Sequence, residues 1–223
     1  MRGTFRRYAI YHLPDEPELA AFGAQWLGHD VATGGSATHL AKGAGAALVQ
    51  TPRKYGCHGT LKPPFGLAGG HGPDDLIAAV SDLAARLKAV EVEGLRLARL
   101  GRFFALVPVG DAQGIAALAE AYVTQLDRFR ALPSDAELKK RRAKGLTARQ
   151  EALLQAWGYP YVLDEFRFHL TLTGALSEEE ARLAETLLSQ YLPEMPRPFR
   201  LGSISLLGEQ GDGRFVQIQR FSL

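Results

Sequence analysis

The chain has 223 residues and a formal net charge of only +2, too little to drive bulk, sequence-independent nucleic-acid binding. No apolar run is long enough to span a bilayer, and the N-terminal Met1-Arg2-Gly3-Thr4-Phe5-Arg6-Arg7 lacks the apolar stretch of a secretion signal. A single cysteine, Cys57, leaves no internal disulfide and no cysteine-rich zinc site; the expectation is a soluble cytoplasmic protein large enough to bury a real core.

Phe5 to His12 reads as a strand rich in Tyr and Ile that stops before Pro14. Asp15 is placed to cap a helix running through Leu27, with Pro17 in its first turn. Residues 30–56, rich in Gly, Ala and Thr, predict a loop with one weak helical turn. A strand follows through Cys57-His58-Gly59-Thr60-Leu61. Pro63-Pro64 is expected to end it, since proline cannot donate to a sheet ladder. Pro73-Asp74-Asp75 then opens an amphipathic helix to about Lys88, with Leu76, Ile77, Val80, Leu83, Ala84 and Leu87 on one face.

A hairpin is predicted next, Val90–Leu100 and Phe103–Val109 about Gly101-Arg102, and then a helix from Ile115 to Phe129. Ser134 to Trp157 reads as one or two inserted helices, basic at Lys139, Lys140, Arg141, Arg142 and Lys144 and amphipathic from Thr147. A second strand covers Glu165–Thr173. Ser177, with Glu180 three residues on, forms a capping box for a helix to about Tyr191. A last hairpin joins Phe199–Leu207 to Arg214–Phe221 about Gly211-Asp212-Gly213.

Both halves therefore run strand, helix, hairpin, with 45 residues from His58 to Phe103 and 46 from His169 to Phe215. Each leading strand carries one pattern, His58-Gly59-Thr60-Leu61 and His169-Leu170-Thr171-Leu172. Alternation with period two turns each histidine and its threonine to the same face. A lone His-x-Thr carries little information, because threonine favours strands and a half-buried histidine often satisfies a carbonyl. Two such motifs at equivalent places in a repeated order predict a pseudo-twofold arrangement that brings His58 and His169 together across a cleft. The expected architecture is α+β: a single bilobal domain over residues 1–223. Lobe one contains roughly 57–110 and lobe two roughly 165–223, with a helical insertion at roughly 134–157. The sheet partner of the N-terminal strand stays open.

Two imidazoles with ordinary values near 6.5 can divide one reaction between general base and general acid. Thr60 and Thr171 can donate hydrogen bonds to the non-bridging oxygens of a phosphate. His58, Thr60, His169 and Thr171 are therefore the candidate catalytic residues of a phosphodiesterase, and which histidine is the base is not readable. Lys62, two residues beyond Thr60, is a candidate substrate contact. So are Arg53 and Tyr55, which lead into the first motif and are placed to clamp the distal part of the substrate, an arginine's planar fork suiting a second phosphate, and Arg130. Arg141 and Arg142 lie in a charge run, a pattern that usually marks a solvated helix face. His12, His29, His39 and His71 have no paired hydroxyl and are expected at the surface or as caps. With no His-x-x-x-His or Glu-x-x-His cluster, no metal site and no cofactor is expected.

At these residues the chain resembles the 2H phosphoesterase superfamily, named for its two His-x-Thr/Ser motifs. More narrowly it resembles a bacterial branch whose genes tend to accompany phosphonate-degradation functions. The resemblance is carried by Arg7-Tyr8-Ala9-Ile10-Tyr11, by residues 52–65 around the first motif, by Leu126-Asp127-Arg128-Phe129-Arg130, and by residues 158–162 and 166–174 around the second. Cys57 stands where that branch usually has an aromatic; alternation turns it away from His58, so the change concerns packing. The resemblance implies two antiparallel sheets with pseudo-twofold symmetry around a central cleft, helices outside, and metal-independent hydrolysis of a cyclic or linear phosphodiester. The implied partner is a small phosphorylated substrate, a sugar or nucleotide phosphate, with no membrane association. Two alternatives stand beside it. One is an RNA-end 2′,3′-cyclic phosphodiesterase, for which the basic run at 139–144 is the one hint. The other is a module that binds a phosphorylated ligand without turnover. The oligomeric state is open.

Overall fold

The computed structural model describes residues 5–41, 43–143 and 145–223; residues 1–4, Lys42 and Lys144 of the basic run lie outside them. Strand β1 (Tyr8–His12) is buried throughout, and alternation divides it between two cores. Tyr8 and Ile10 enter the main one, Ala9 and Tyr11 a smaller one on the opposite face. Helix α1 (Pro17–Leu27) has Pro17 in its first turn but is not capped by Asp15: Glu16 holds the cap position without a side-chain bond. The Asp15 carboxylate is drawn elsewhere, accepting from Ser203 Oγ at 2.7 Å and Arg220 Nη1 at 2.8 Å. The loop that follows contains two short helices, α2 (Ala44–Leu48) and α3 (Gln50–Arg53).

Strand β2 (Gly59–Phe65) carries the first motif and runs through Pro63-Pro64 instead of ending there. Its register against β1 explains how. Tyr8 pairs with Phe65 and Ile10 with Lys62, so Ala9 alone faces both prolines in a bulge that asks no ladder bond of them. Next come α4 (Pro73–Ala84), β3 (Val90–Val92), β4 (Gly94–Leu100), β5 (Phe103–Val109) and α5 (Gln113–Gln125). The strand predicted over 90–100 divides, because β3 leaves for a separate ribbon, and the helix predicted to Phe129 ends in a 3₁₀ turn over Asp127–Phe129. The insertion is two helices, α6 (Asp135–Arg142) and α7 (Ala148–Trp157), each opened by a capping box, Ser134 with Glu137 and Thr147 with Gln150.

The second motif strand, β6 (Leu170–Thr171), is far shorter than predicted. A 3₁₀ turn takes Leu163–Glu165, and the Leu172 and Thr173 amides both turn to the Phe104 carbonyl. Helix α8 (Glu178–Tyr191) has the predicted Ser177–Glu180 capping box. Strands β7 (Phe199–Leu201), β8 (Ser203–Glu209) and β9 (Phe215–Ser222) close the chain.

Seven strands form one antiparallel sheet in the order β4-β5-β6-β2-β1-β8-β9, and β3 with β7 forms a two-stranded ribbon. The fold is α+β. Leu76 and Val80 of α4, Ile115 and Leu118 of α5 and Ala184 and Leu188 of α8 share the main core with Ile10, Leu61, Leu106, Leu170 and Ile204. Where two sheets are implied by the resemblance, the structure has two wings of one sheet, β4-β5-β6 and β2-β1-β8-β9, joined by the pair Gly59–Leu170. The pairing also crosses between the halves of the chain. β6 lies against the hairpin of the first half, while β1 sits between β2 and β8 and so ties the first motif strand to the hairpin of the second. A boundary drawn at mid-chain therefore cuts through the strand pairing, because a motif strand accepts any neighbour whose buried face and register match its own.

The join at Gly59 is tight. A Cβ placed there would stand 2.2 Å from a ring carbon of Phe168, a distance no packed pair tolerates. Gly59→Ala is expected to lose about 1–3 kcal/mol of stability, the usual range for overpacking, read as a lower thermal midpoint. A midpoint equal to the parent's would show that Phe168 moves aside at no cost.

Candidate active site

The Gly59–Leu170 pair sets the site. Phe168, Leu170 and Leu61 point into the main core, so alternation turns His58, Thr60, His169 and Thr171 to the opposite face. Antiparallel register sets His58 across from Thr171 and Thr60 across from His169, with facing Cβ atoms about 4.5–5.5 Å apart. The imidazoles occupy one diagonal of this patch and the hydroxyls the other.

Both rings are held in one way. Nδ1–H of His58 donates to the Gly56 carbonyl and that of His169 to the Arg167 carbonyl, each at 2.8 Å. A carbonyl can only accept, so the proton lies on Nδ1 in each neutral ring and Nε2 carries the lone pair. The Nε2 of His58 accepts from Thr60 Oγ1 at 3.1 Å. One face of His58 is stacked on Tyr11, centroids 3.8 Å apart at 18°, and the Tyr55 ring stands 6.0 Å away. Burial pushes His58 down to about 4, against the pull of the Gly56 carbonyl and with a further decrease from nearby His169. His169 has the Phe103 ring 5.8 Å from its own.

Tyr11 is a site residue that motif reading missed. It faces Thr60 in the β1–β2 register and so shares the face of the two motifs, a placement that depends on a strand pairing the sequence leaves open. Tyr55 also lies at the site, 5.3 Å from Phe215 and beneath the Lys54 ammonium. The other candidate contacts are placed differently. Arg53 is exposed and donates to the Gly28 carbonyl at 3.3 Å. Lys62 is 2% exposed; its ammonium donates to the Val123 carbonyl at 2.9 Å and lies 3.7 Å from Asp127. Burial lowers Lys62 to about 8, Asp127 opposing. Arg130 grips the same carboxylate with two bonds, 2.7 and 3.0 Å, and donates to the Ala156 carbonyl. Gly158, which ends α7 at φ +72°, leaves room for that guanidinium: a Cβ would come within 2.9 Å of Arg130 Nη1. Lys62 and Arg130 thus share Asp127 beneath the ends of α5 and α7.

Of the histidines expected at the surface or as caps, His12 and His29 are instead buried, His12 against the Ser203 carbonyl and His29 between those of Gly35 and Phe215. A buried ring needs such acceptors, and the loop and strand carbonyls supply them. Cys57 packs on Gly23 in the core, and burial pushes its thiol up to about 12. Among the described residues no group of three or more His, Cys, Asp and Glu side chains is arranged to hold a metal ion. Among them, too, no helix is long and apolar enough to cross a membrane.

Comparison with known proteins adds the following. The chain is 38% identical over 190 residues to ribose 1,5-bisphosphate phosphokinase PhnN of Janthinobacterium sp. (strain Marseille), covering 82% of this chain and 42% of that protein. It is 38% identical over 185 residues to the protein of the same name from Laribacter hongkongensis (strain HLHK9), covering 77% and 41%. The chain thus spans about two fifths of the length of these relatives. Similar solved structures include E. coli LigT complexed with NADP+, 14% identical with a TM-score of 0.48, and a phosphoesterase, 14% identical with a TM-score of 0.44; each match covers 99% of both chains. Residues 60–216, which hold the second motif and Thr60-Leu61 of the first, match the family described as "Protein of unknown function (DUF1045)". The chain belongs to that family.

Proposed function

We propose that this protein is a phosphodiesterase of the 2H phosphoesterase type, hydrolysing a small phosphodiester without a metal through His58 as general base and His169 as general acid. The observation that supports it most is the matched anchoring of two distant imidazoles, each Nδ1 on a carbonyl at 2.8 Å, on adjoining strands. His58, held neutral by burial, offers its Nε2 lone pair to a water whose oxygen attacks phosphorus. His169, in its protonated form, gives its Nε2 proton to the departing ester oxygen as the P–O bond breaks. In-line displacement needs these two groups on opposite sides of phosphorus, and two motif strands supply them. Thr60, which donates to His58, turns to a non-bridging oxygen when phosphate enters, and Thr171 donates to another. The negative charge of the bound diester raises the proton affinity of His58, so the base strengthens once substrate is in place.

The name borne by the 38% identical relatives directs the substrate class toward phosphorylated pentoses. The phosphokinase activity in that name is not carried over, since this chain contains no G-x-x-x-x-G-K-S/T loop to cradle nucleotide phosphates. A sugar phosphodiester, cyclic forms included, of the kind handled in phosphonate breakdown in the cytoplasm is the substrate class we assign.

With EDTA present, the purified protein is expected to hydrolyse ribose cyclic phosphates in preference to 2′,3′-cyclic nucleotides and short RNA. His58→Ala and His169→Ala should each lower kcat/KM by about 10²–10⁴, the range of one positioned proton transfer. Turnover that requires added metal, or that survives both substitutions, refutes the mechanism. Preference for RNA ends, or binding with no turnover, favours the RNA enzyme or the binding module. The pH profile gives a separate test. The acid limb of kcat/KM, which reports the free enzyme, should fall near pH 4, and the limb of kcat should lie at higher pH because bound phosphate raises His58. A kcat/KM whose acid limb is already falling as pH is lowered through 6.5 excludes His58 as the base.

A further inference from the structure

We infer that Arg141, on inserted helix α6, binds a second anionic group of the substrate, a phosphomonoester, and so sets which phosphodiesters enter; this rests on the phosphodiesterase reading above. Arg141 stands apart from the rest of its charge run. Arg142 is paired with Glu151 at 2.7 Å, as the solvated-face pattern leads one to expect. Arg141 instead lays its guanidinium over the Tyr159 ring, 4.5 Å from the centroid, with Nε buried and without a hydrogen-bond partner. Among the described residues it makes no ion pair. The nearest acid along its own helix, Glu137 one turn earlier, is within electrostatic reach but makes no ion pair with it, its Oε2 being occupied by the amide and hydroxyl of Ser134. Stacking covers one face of the guanidinium and leaves its donating edge uncommitted. A partly buried cation of this kind is costly unless an anion completes it.

Its place connects it to the histidines. Tyr159 is within electrostatic reach of both Arg141 and Tyr55, and Tyr11 of both Tyr55 and Tyr159. Tyr55 and Tyr11 flank His58 at 6.0 and 3.8 Å between rings. A ligand whose diester sits between His58 and His169 therefore has Tyr55 and Tyr159 along one side and the Arg141 fork beyond them. The oxygens of a phosphomonoester dianion match that fork with two parallel hydrogen bonds, and a second anchor of this kind holds a small sugar in line for attack. A carboxylate has the same fork geometry but a single charge, and the titration separates the two.

The full chain is titrated calorimetrically with ribose 5-phosphate, ribonate and ribose. The parent should bind ribose 5-phosphate most tightly, and Arg141→Gln should weaken that binding about 10- to 100-fold, the usual range for a charge-assisted hydrogen bond. Arg141→Lys should recover part of the loss. Arg142→Gln, which breaks only the outer pair with Glu151, should stay within about twofold of the parent. In turnover, Arg141→Gln should lower kcat/KM for a ribose cyclic phosphate bearing a 5-phosphate at least about tenfold more than for one without it. Equal affinity of Arg141→Gln and parent, no preference of the parent for ribose 5-phosphate over ribose, or tighter binding of ribonate overturns the inference. The two readings fail separately. Arg141-dependent binding without any turnover overturns the phosphodiesterase alone, whereas turnover that ignores Arg141 overturns only the clamp.

Discussion

The close approach of Phe168 to Gly59 is the constraint on which the rest of the molecule depends. The ring occupies the space a side chain at Gly59 would take, and only because that space is empty can Gly59 pair with Leu170. That one pair joins the two wings of the sheet. It also fixes the parity of both motif strands, which sends Leu61 and Leu170 into the core and their histidine and threonine neighbours to the far face. Apolar packing on one side of the sheet and the histidine–threonine patch on the other are thus consequences of a single contact.

Around that contact the structure separates the two histidines by environment while holding them alike by hydrogen bonding. Each Nδ1 is spent on a carbonyl, so Nε2 is the nitrogen left over in each ring, that of His58 accepting from Thr60. Tyr11 stacks on one face of His58, whose burial lowers its proton affinity, whereas the ring beside His169 is the tilted Phe103, 5.8 Å away. Two imidazoles anchored alike thus differ in what lies against them, the general means by which one residue type can serve two roles.

Much of this was legible in the residues. The alternation in His58-Gly59-Thr60 and His169-Leu170-Thr171, the capping box at Ser177, and the two hairpins all follow from local rules, and local rules hold wherever the backbone's nearest neighbours decide the conformation. What was not legible depends on contacts across the chain. Pro63-Pro64 read as a terminus because their bulge exists only opposite Ala9. Asp15 read as a cap because Ser203 and Arg220, which claim it, arrive from the other end of the sequence. Lys62 and Arg130 read as ligands for phosphate, whereas Asp127 between them already supplies the negative charge. Arg141 read as one more solvated cation, since nothing in a run of four basic residues marks the one that Tyr159 will cover.

The insertion of β1 between β2 and β8 has a consequence for how the molecule comes into being. Tyr8 pairs with Gly208 and Tyr11 with Ser205, so the sheet closes loops spanning nearly the whole polypeptide. Such long-range closure loses much chain entropy before any contact repays it, which makes for slow folding. During synthesis β1 keeps one edge bare until β8 has emerged from the ribosome. The β2-β1-β8 part of the sheet is therefore completed only once β8 (Ser203–Glu209) has been made.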